Sequence, residues 1–143
     1  MTAKEYLKQS YFLDENIASL LEEVAVLKAM LTSIQSPKYG ERVQTSKTNE
    51  ASFVKLVGSI AEFESRIHER VGQQIKLKKQ ISELISTLTS LEEQLVLRHR
   101  YVLGKTWEKI AADLFADATT IYRWHLKALN NFRLPEDAII INK

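Results

Sequence analysis

The chain has 143 residues, 45% of them hydrophobic, and a formal net charge of +2, enough for one core of ordinary size or a small domain plus an extended helical arm, but not for two large domains. It has no cysteine, which excludes a disulfide framework, a thiolate metal site and a thiol nucleophile, and points to a reducing compartment. Lys4 and Lys8 are followed by Asp14 and Glu15 with no long apolar run behind them, so neither a signal peptide nor a membrane span is expected, and the chain reads as cytoplasmic.

Residues 4–34 contain neither Pro nor Gly, and apolar residues recur at heptad spacing: Leu13, Ile17, Leu20, Val24, Leu27, Leu31 and Ile34. That is a coiled-coil seam on a helix roughly 45 Å long at ~1.5 Å per residue. Residues 35–49 hold Ser36, Pro37, Gly40, Thr45, Ser46 and Thr48 and are expected to be a linker. A second helix is predicted from near Asn49 or Ser52, with apolar slots at Phe53, Val57, Ile60, Ile67, Val71, Ile81, Ile85 and Leu88, and polar slots at Glu64, Gln74 and Lys78.

Two helices joined in this way can fold into an antiparallel hairpin, which alone buries only a narrow stripe and is marginal in water. A homodimer, or a higher oligomer, is therefore expected, either as a four-helix bundle of two hairpins or with each long helix paired to its symmetry mate. Its seam would carry the seven heptad residues together with Ile60, Ile67 and Ile81, with Gln74 and Lys78 setting register. The other reading of the same pattern is a core formed within one chain.

The last third changes character. Thr89 with Glu92 and Ser90 with Glu93 both fit a capping box, so a helix is predicted through Leu91, Leu95, Val96 and Tyr101 to Gly104. Then comes TWEKIAADLFADATTIYRWHLKALNNFR, whose spacing is that of a helix-turn-helix. Thr106 caps its first helix, which packs through Ile110, Ala111 and Leu114; Phe115 and Ala116 form the turn; Asp117 caps the second helix, whose inner face is expected at Ile121, Trp124, Ala128 and Leu129. Between residues 94 and 133, seven bases (Arg98, Arg100, Lys105, Lys109, Arg123, Lys127, Arg133) face three acids (Glu108, Asp113, Asp117), a net of +4 in a chain of +2. Such an excess is the footprint of a nucleic-acid module. The expected fold is all-α: a helical arm over 1–88, a helix-turn-helix domain over 89–134 and a tail over 135–143.

Residues 106–133 resemble, without a gap, region 4 of the sigma-70 family, the helix-turn-helix that reads the −35 promoter element. The match lies in Thr106, Glu108, Ile110, Ala111 and Leu114, in Ile121 of the recognition helix, and in the closing Lys127, Ala128, Leu129 and Arg133. Upstream, Arg100 and Tyr101 match the family's L-R-Y segment, with His99 in place of the leucine. Phe115 stands where such proteins often have Gly, and Ala118, Thr119 and Tyr122 stand where strongly basic base readers are usual, so sequence preference does not carry over. With coiled coil in front, the chain is similar to small regulators of Gram-positive phages and prophages. The resemblance implies a transcription regulator acting on double-stranded DNA in the bacterial cytoplasm, with RNA polymerase as a further partner.

On the outer face of the recognition helix lie Ala118, Thr119, Tyr122, Arg123, Leu126 and Lys127. Arg123 is the first choice for a guanine or phosphate contact, Thr119 and Tyr122 for base or backbone, and Ala118 for a thymine methyl; Lys127 and Lys105 are expected to hold phosphates. Trp124 is expected in the core, Arg100 in an ion pair with Glu108, and Trp107 either in the core or against a partner. His68, His99 and His125 show no metal-ligand spacing, and no catalytic motif or cofactor fingerprint is present, so no enzyme, metal or cofactor is expected. Two other readings remain: a DNA-packaging protein of small-terminase type, and an adaptor of polymerase or a sigma factor that does not touch DNA. Pro135 ends the recognition helix, and Ile139, Ile140 and Ile141 fit a β-like clip, a lid on the core or a docking peptide.

Overall fold

The computed structural model describes residues 1–35 and 46–141 and is all-helical there: α1 (Ala3–Gln35), α2 (Ser46–Ile85), α3 (Leu91–Leu97), a π-helical segment (Arg98–Val102), α4 (Trp107–Asp113) and α5 (Ala118–Asn131). The expected linker lies mostly outside the described residues; of its span, Gln35 closes α1, and residues 46–49 already belong to α2. None of the described helices is long and apolar enough to cross a membrane.

The chain divides into two compact units, Met1–Asp14 with Gly72–Lys143, and Glu15–Val71. The first holds the helix-turn-helix but takes in more chain than residues 89–134. The reason lies in α1, whose first turns bury Tyr6, Leu7 and Ser10 completely, and in the end of α2, which buries Leu77, Ile81 and Ile85. These join Val96, Leu97, Tyr101, Ile110, Ile121, Ala128 and Phe132 in one core. The Tyr6 and Phe132 rings stand 6.0 Å apart, and α3 packs chiefly on α5.

Two polar slots of the heptad pattern, Gln74 and Lys78, find partners inside this unit, although the buried Gln74 Oε1 has none. Gln74 donates through Nε2 to the Ser10 carbonyl at 3.0 Å and to Asp14, and Lys78 meets the other Asp14 oxygen at 3.2 Å. Residues expected to set the register of a dimer therefore fix α1 against α2 of the same chain, with Tyr6 bonded to Gln80 and Ser10 to Gln74 in antiparallel order.

In Glu15–Val71, Leu20, Val24 and Ile60 are buried, Ile17, Leu27, Leu31, Ile34 and Ile67 are half-buried, and Lys28 pairs with Glu64 at 3.8 Å. Five of the ten expected dimer residues (Leu13, Leu20, Val24, Ile60 and Ile81) thus serve the core of a single chain. Part of the heptad stripe is covered within the chain, whose own second helix satisfies the same periodicity as a partner helix.

The tail is an extended strap whose backbone is held by two glutamines. Gln80 accepts from the Ile139 amide at 2.9 Å and donates to the Asp137 carbonyl at 3.1 Å, while Gln9 donates to the Ile139 carbonyl and accepts from the Ile141 amide, both at 2.9 Å. No strand forms among the described tail residues, and it is the two glutamine side chains that clip the backbone in place.

Candidate nucleic-acid interface

Three caps set the helices of the domain. Ser90 accepts from the Glu93 amide, Thr106 from the Lys109 amide and Asp117 from the Thr120 amide, each satisfying an amide that the first turn leaves without a partner. Contact with the Thr120 backbone amide holds the Asp117 carboxyl below its usual range. Of the two possible caps the one at Ser90 forms, but as a single N-cap rather than a reciprocal box, since the Glu93 carboxylate turns to Asn131; the helix it opens gives way after Leu97 to a wider π-helical turn. There the Leu103 amide reaches back to the Arg98 carbonyl at 2.9 Å, and the Tyr101 carbonyl accepts from the buried Ser10 hydroxyl at 2.7 Å.

Between α4 and α5, Phe115 takes a positive φ of 52° and leaves its ring 95% exposed. The left-handed conformation explains why glycine is usual at such a turn: it carries no Cβ to strain.

The inner face of α5 is Ile121, His125, Ala128 and Phe132 with its C-cap, all buried. Trp124 and Leu129, expected there, lie half-buried at its margins. The spacing of four, three and four makes a straight stripe, and it passes through His125, which polarity had disguised. His125 Nε2 is 2.9 Å from the Tyr101 hydroxyl, and the ring meets Trp107 edge to face at 4.8 Å. Burial, with the charges of Lys4 and Arg100 adding to it, pulls its pKa down to about 4.

On the outer face, Ala118, Thr119, Tyr122, Arg123, Leu126 and Lys127 are all exposed, so α5 presents every residue picked for DNA contact except Lys105, which directly precedes the Thr106 cap of α4. Lys105 is already engaged: its ammonium is 2.8 Å from Asp113 and 3.1 Å from His99 Nδ1. Lys109 reaches the same carboxylate at 3.1 Å, and these contacts from Lys105 and Lys109 hold the Asp113 carboxyl below its usual range. Arg100 does not take Glu108 as its partner. Its guanidinium lies 4.6 Å from the Trp107 ring centre and 5.4 Å from that of Tyr11, and donates to the Lys105 carbonyl at 3.0 Å. Trp107 is 37% exposed, a half-covered ring between Arg100 and His125. Together with Ala111, Ala118 and Tyr122 it lines an apolar cleft of about 360 Å³ between α4 and the first turns of α5.

The far end of α5 is tied down by Asn131, which donates to the Glu93 carboxylate of α3 at 2.7 Å. Asn131 did not stand out in the sequence, and Glu93 stood out only as a capping partner of Ser90. Among the described residues, no three His, Cys, Asp or Glu side chains are grouped to hold a metal.

No curated protein and no solved structure matches the chain. A family described as a protein of unknown function (DUF1492) matches residues 31–133, from the end of α1 through the whole of α5, and the chain belongs to that family.

Proposed function

We propose that this protein is a DNA-binding transcription regulator of the sigma-70 region 4-like helix-turn-helix type, related to phage and prophage regulators and working in the bacterial cytoplasm. One observation carries the reading: a 14-residue helix capped by Asp117 and held from behind by Ile121, His125 and Ala128 leaves an outer face free that bears Arg123 and Lys127 and no acid. A helix of this kind fits the major groove, with Ala118, Thr119 and Tyr122 near the base edges and Lys127 on phosphate.

The recognition face is only weakly basic, so two copies on two half-sites make up the affinity. The second copy docks through Glu15–Val71, where Leu21, Val26 and Met30 of α1 and Val54 and Val57 of α2 are exposed. Exposed apolar residues on a helical unit favour a like surface. RNA polymerase is a further partner in this reading.

Selection from random duplex DNA tests it. A selected site should show two half-sites one helical turn or more apart and an affinity that falls steeply with salt. Absence of any enriched sequence, together with unchanged low-salt affinity of the Arg123→Ala protein, overturns the reading. A large ring by mass measurement points instead to DNA packaging.

A further inference from the structure

A second cleft, of about 420 Å³, lies beside the helix-turn-helix and is walled in large part by α1. Lys4, Lys8, Tyr11 and Phe12 line it from α1, recurring at the three- and four-residue spacings that place side chains on one helix face. Arg100, Trp107 and Tyr122 line it as well. The lining holds three full cations and no carboxylate.

Neither Lys4 nor Lys8 has an ion-pair partner among the described residues. Arg100 is fixed between the Tyr11 and Trp107 rings, which leaves Phe12, 58% exposed, and Tyr122, 62% exposed, as the most open rings. An apolar partner would leave the cations unexplained, and a free phosphate would leave the rings unexplained. A strand that brings a base to stack and phosphates to neutralise accounts for both, and aromatic rings interleaved with cations are how single strands are held without sequence preference.

We propose that this cleft binds single-stranded DNA, with an unpaired base stacked on Phe12 and the flanking phosphates held by Lys4, Lys8 and Arg100. The site goes beyond duplex recognition and does not rest on it, since most of its charge lies outside α5.

The test uses the full chain carrying Trp124→Phe, in which Trp107 is the one remaining tryptophan and reports from the cleft wall. It is titrated with oligo(dT) of about 12 nucleotides, with a duplex of equal length, and with free dTMP. The oligonucleotide should quench Trp107 and bind less as salt rises, with a slope near −0.7 per phosphate neutralised. Phe12→Ala should weaken this binding roughly 5- to 150-fold while leaving duplex affinity unchanged, and Lys4→Ala with Lys8→Ala should flatten the salt slope. Phe12→Leu, which keeps an apolar side chain but no ring to stack on, should show the same loss if Phe12→Ala folds poorly.

Oligonucleotide binding that survives both Phe12 variants overturns the site. So does failure of folded protein to bind oligo(dT), and if the duplex is still bound, the regulator reading stands without it. Free dTMP binding as tightly as the strand would assign the cleft to a mononucleotide and overturn the strand proposal.

Discussion

The hydroxyl of Tyr101 lies 2.9 Å from Nε2 of His125, so the π-helical segment and the inner face of α5 are joined by a buried polar contact between residues 24 apart. Burial drives the Tyr101 hydroxyl up to about 12 and the His125 ring down to about 4, so both groups are uncharged at neutral pH.

Acid should therefore weaken this unit at His125 first. The ring faces Lys4 from α1, Arg100 and Tyr101 from the π-helical segment, and Trp107 from α4, and Glu108 lines the neighbouring cleft. Its folded pKa lies below the 6.5 of the unfolded chain, so between those values the unfolded state binds more protons. Stability is then complete above 6.5, is lost as pH falls towards about 4, and falls no further on this account below that. A displacement of that size, discounted for water that still reaches the ring, is worth roughly 2 kcal/mol. His99, lowered by burial and by Lys105, adds in the same direction just below 6.5. Asp113 and Asp117, whose ordinary value of 3.8 the fold lowers, lose their contribution only at lower pH. Melting temperature measured from pH 7 to pH 4.5 should fall by several degrees, and the fall should shrink in His125→Gln; an equal fall in that variant would place the titrating group elsewhere.

Phe115→Gly should stabilise the protein. At φ 52° an L side chain strains against its own carbonyl by about 1–2 kcal/mol, and the ring, being 95% exposed, contributes no burial to set against that. Part of the gain is offset by the larger unfolded-state entropy of glycine, which leaves about 0.5–1 kcal/mol. Chemical denaturation should move the midpoint upward with an unchanged slope. A lower midpoint would mean that the ring has packing value in the folded protein.

Much of this architecture could be read from spacing. Heptad recurrence gave α1 and α2, and the caps at Ser90, Thr106 and Asp117 gave the starts of α3, α4 and α5, because capping is a local event in which side chain and amide lie three residues apart. The outer face of α5 was legible for the same reason, since exposure follows from helical phase. What was not legible is non-local. A heptad stripe fits a partner chain and the chain's own second helix equally well, and only contacts such as those of Gln74 and Lys78 with Asp14, some 60 residues away, show which part of it the chain's own helix takes. His125 and Gln80 were missed because each is a polar side chain whose partner, Tyr101 in one case and the tail backbone in the other, carries no periodic signal.

Gln80 should prove far more important than an ordinary surface glutamine. Its Oε1 accepts from the Tyr6 hydroxyl at 2.6 Å and from the Ile139 amide, and its Nε2 donates to Asp137. Gln80→Leu leaves the hydroxyl of a fully buried tyrosine without that acceptor, at a cost of about 1–3 kcal/mol, and releases the strap. Removing residues 135–143 should lose the strap alone. Denaturation midpoints of the two variants should rank Gln80→Leu below or equal to the truncation, and a wild-type midpoint for both would show that the clip contributes nothing.

Val26 and Met30 stand one helical turn apart and are both at least half exposed, so the pair offers a surface for a second copy that the chain's own core does not use. Val26→Glu with Met30→Glu should shift sedimentation towards the monomer while leaving the melting temperature within a few degrees of wild type, since neither side chain is part of the buried set. A dimer that persists would put the interface on another face of Glu15–Val71 or in the other unit.

Arg123 and Lys105 should separate clearly in duplex binding, although both are bases of the same domain. Arg123 is exposed on the outer face of α5 with no ion pair among those found in the described residues, so its guanidinium is free to meet a guanine edge or a phosphate. Arg123→Ala should cost about 1–3 kcal/mol of affinity and, if the contact is to a base, relax preference at one position. Lys105 already spends its ammonium on Asp113 and His99, and taking up a phosphate means giving up that short ion pair. Lys105→Ala should therefore change duplex affinity by less than Arg123→Ala and leave the salt slope almost as it was, whereas Lys127→Ala, an exposed cation, should lower the slope by nearly one. Titrating the three variants over a range of salt concentrations checks this. A larger loss for Lys105→Ala than for Arg123→Ala would move the duplex from the outer face of α5 to the start of α4.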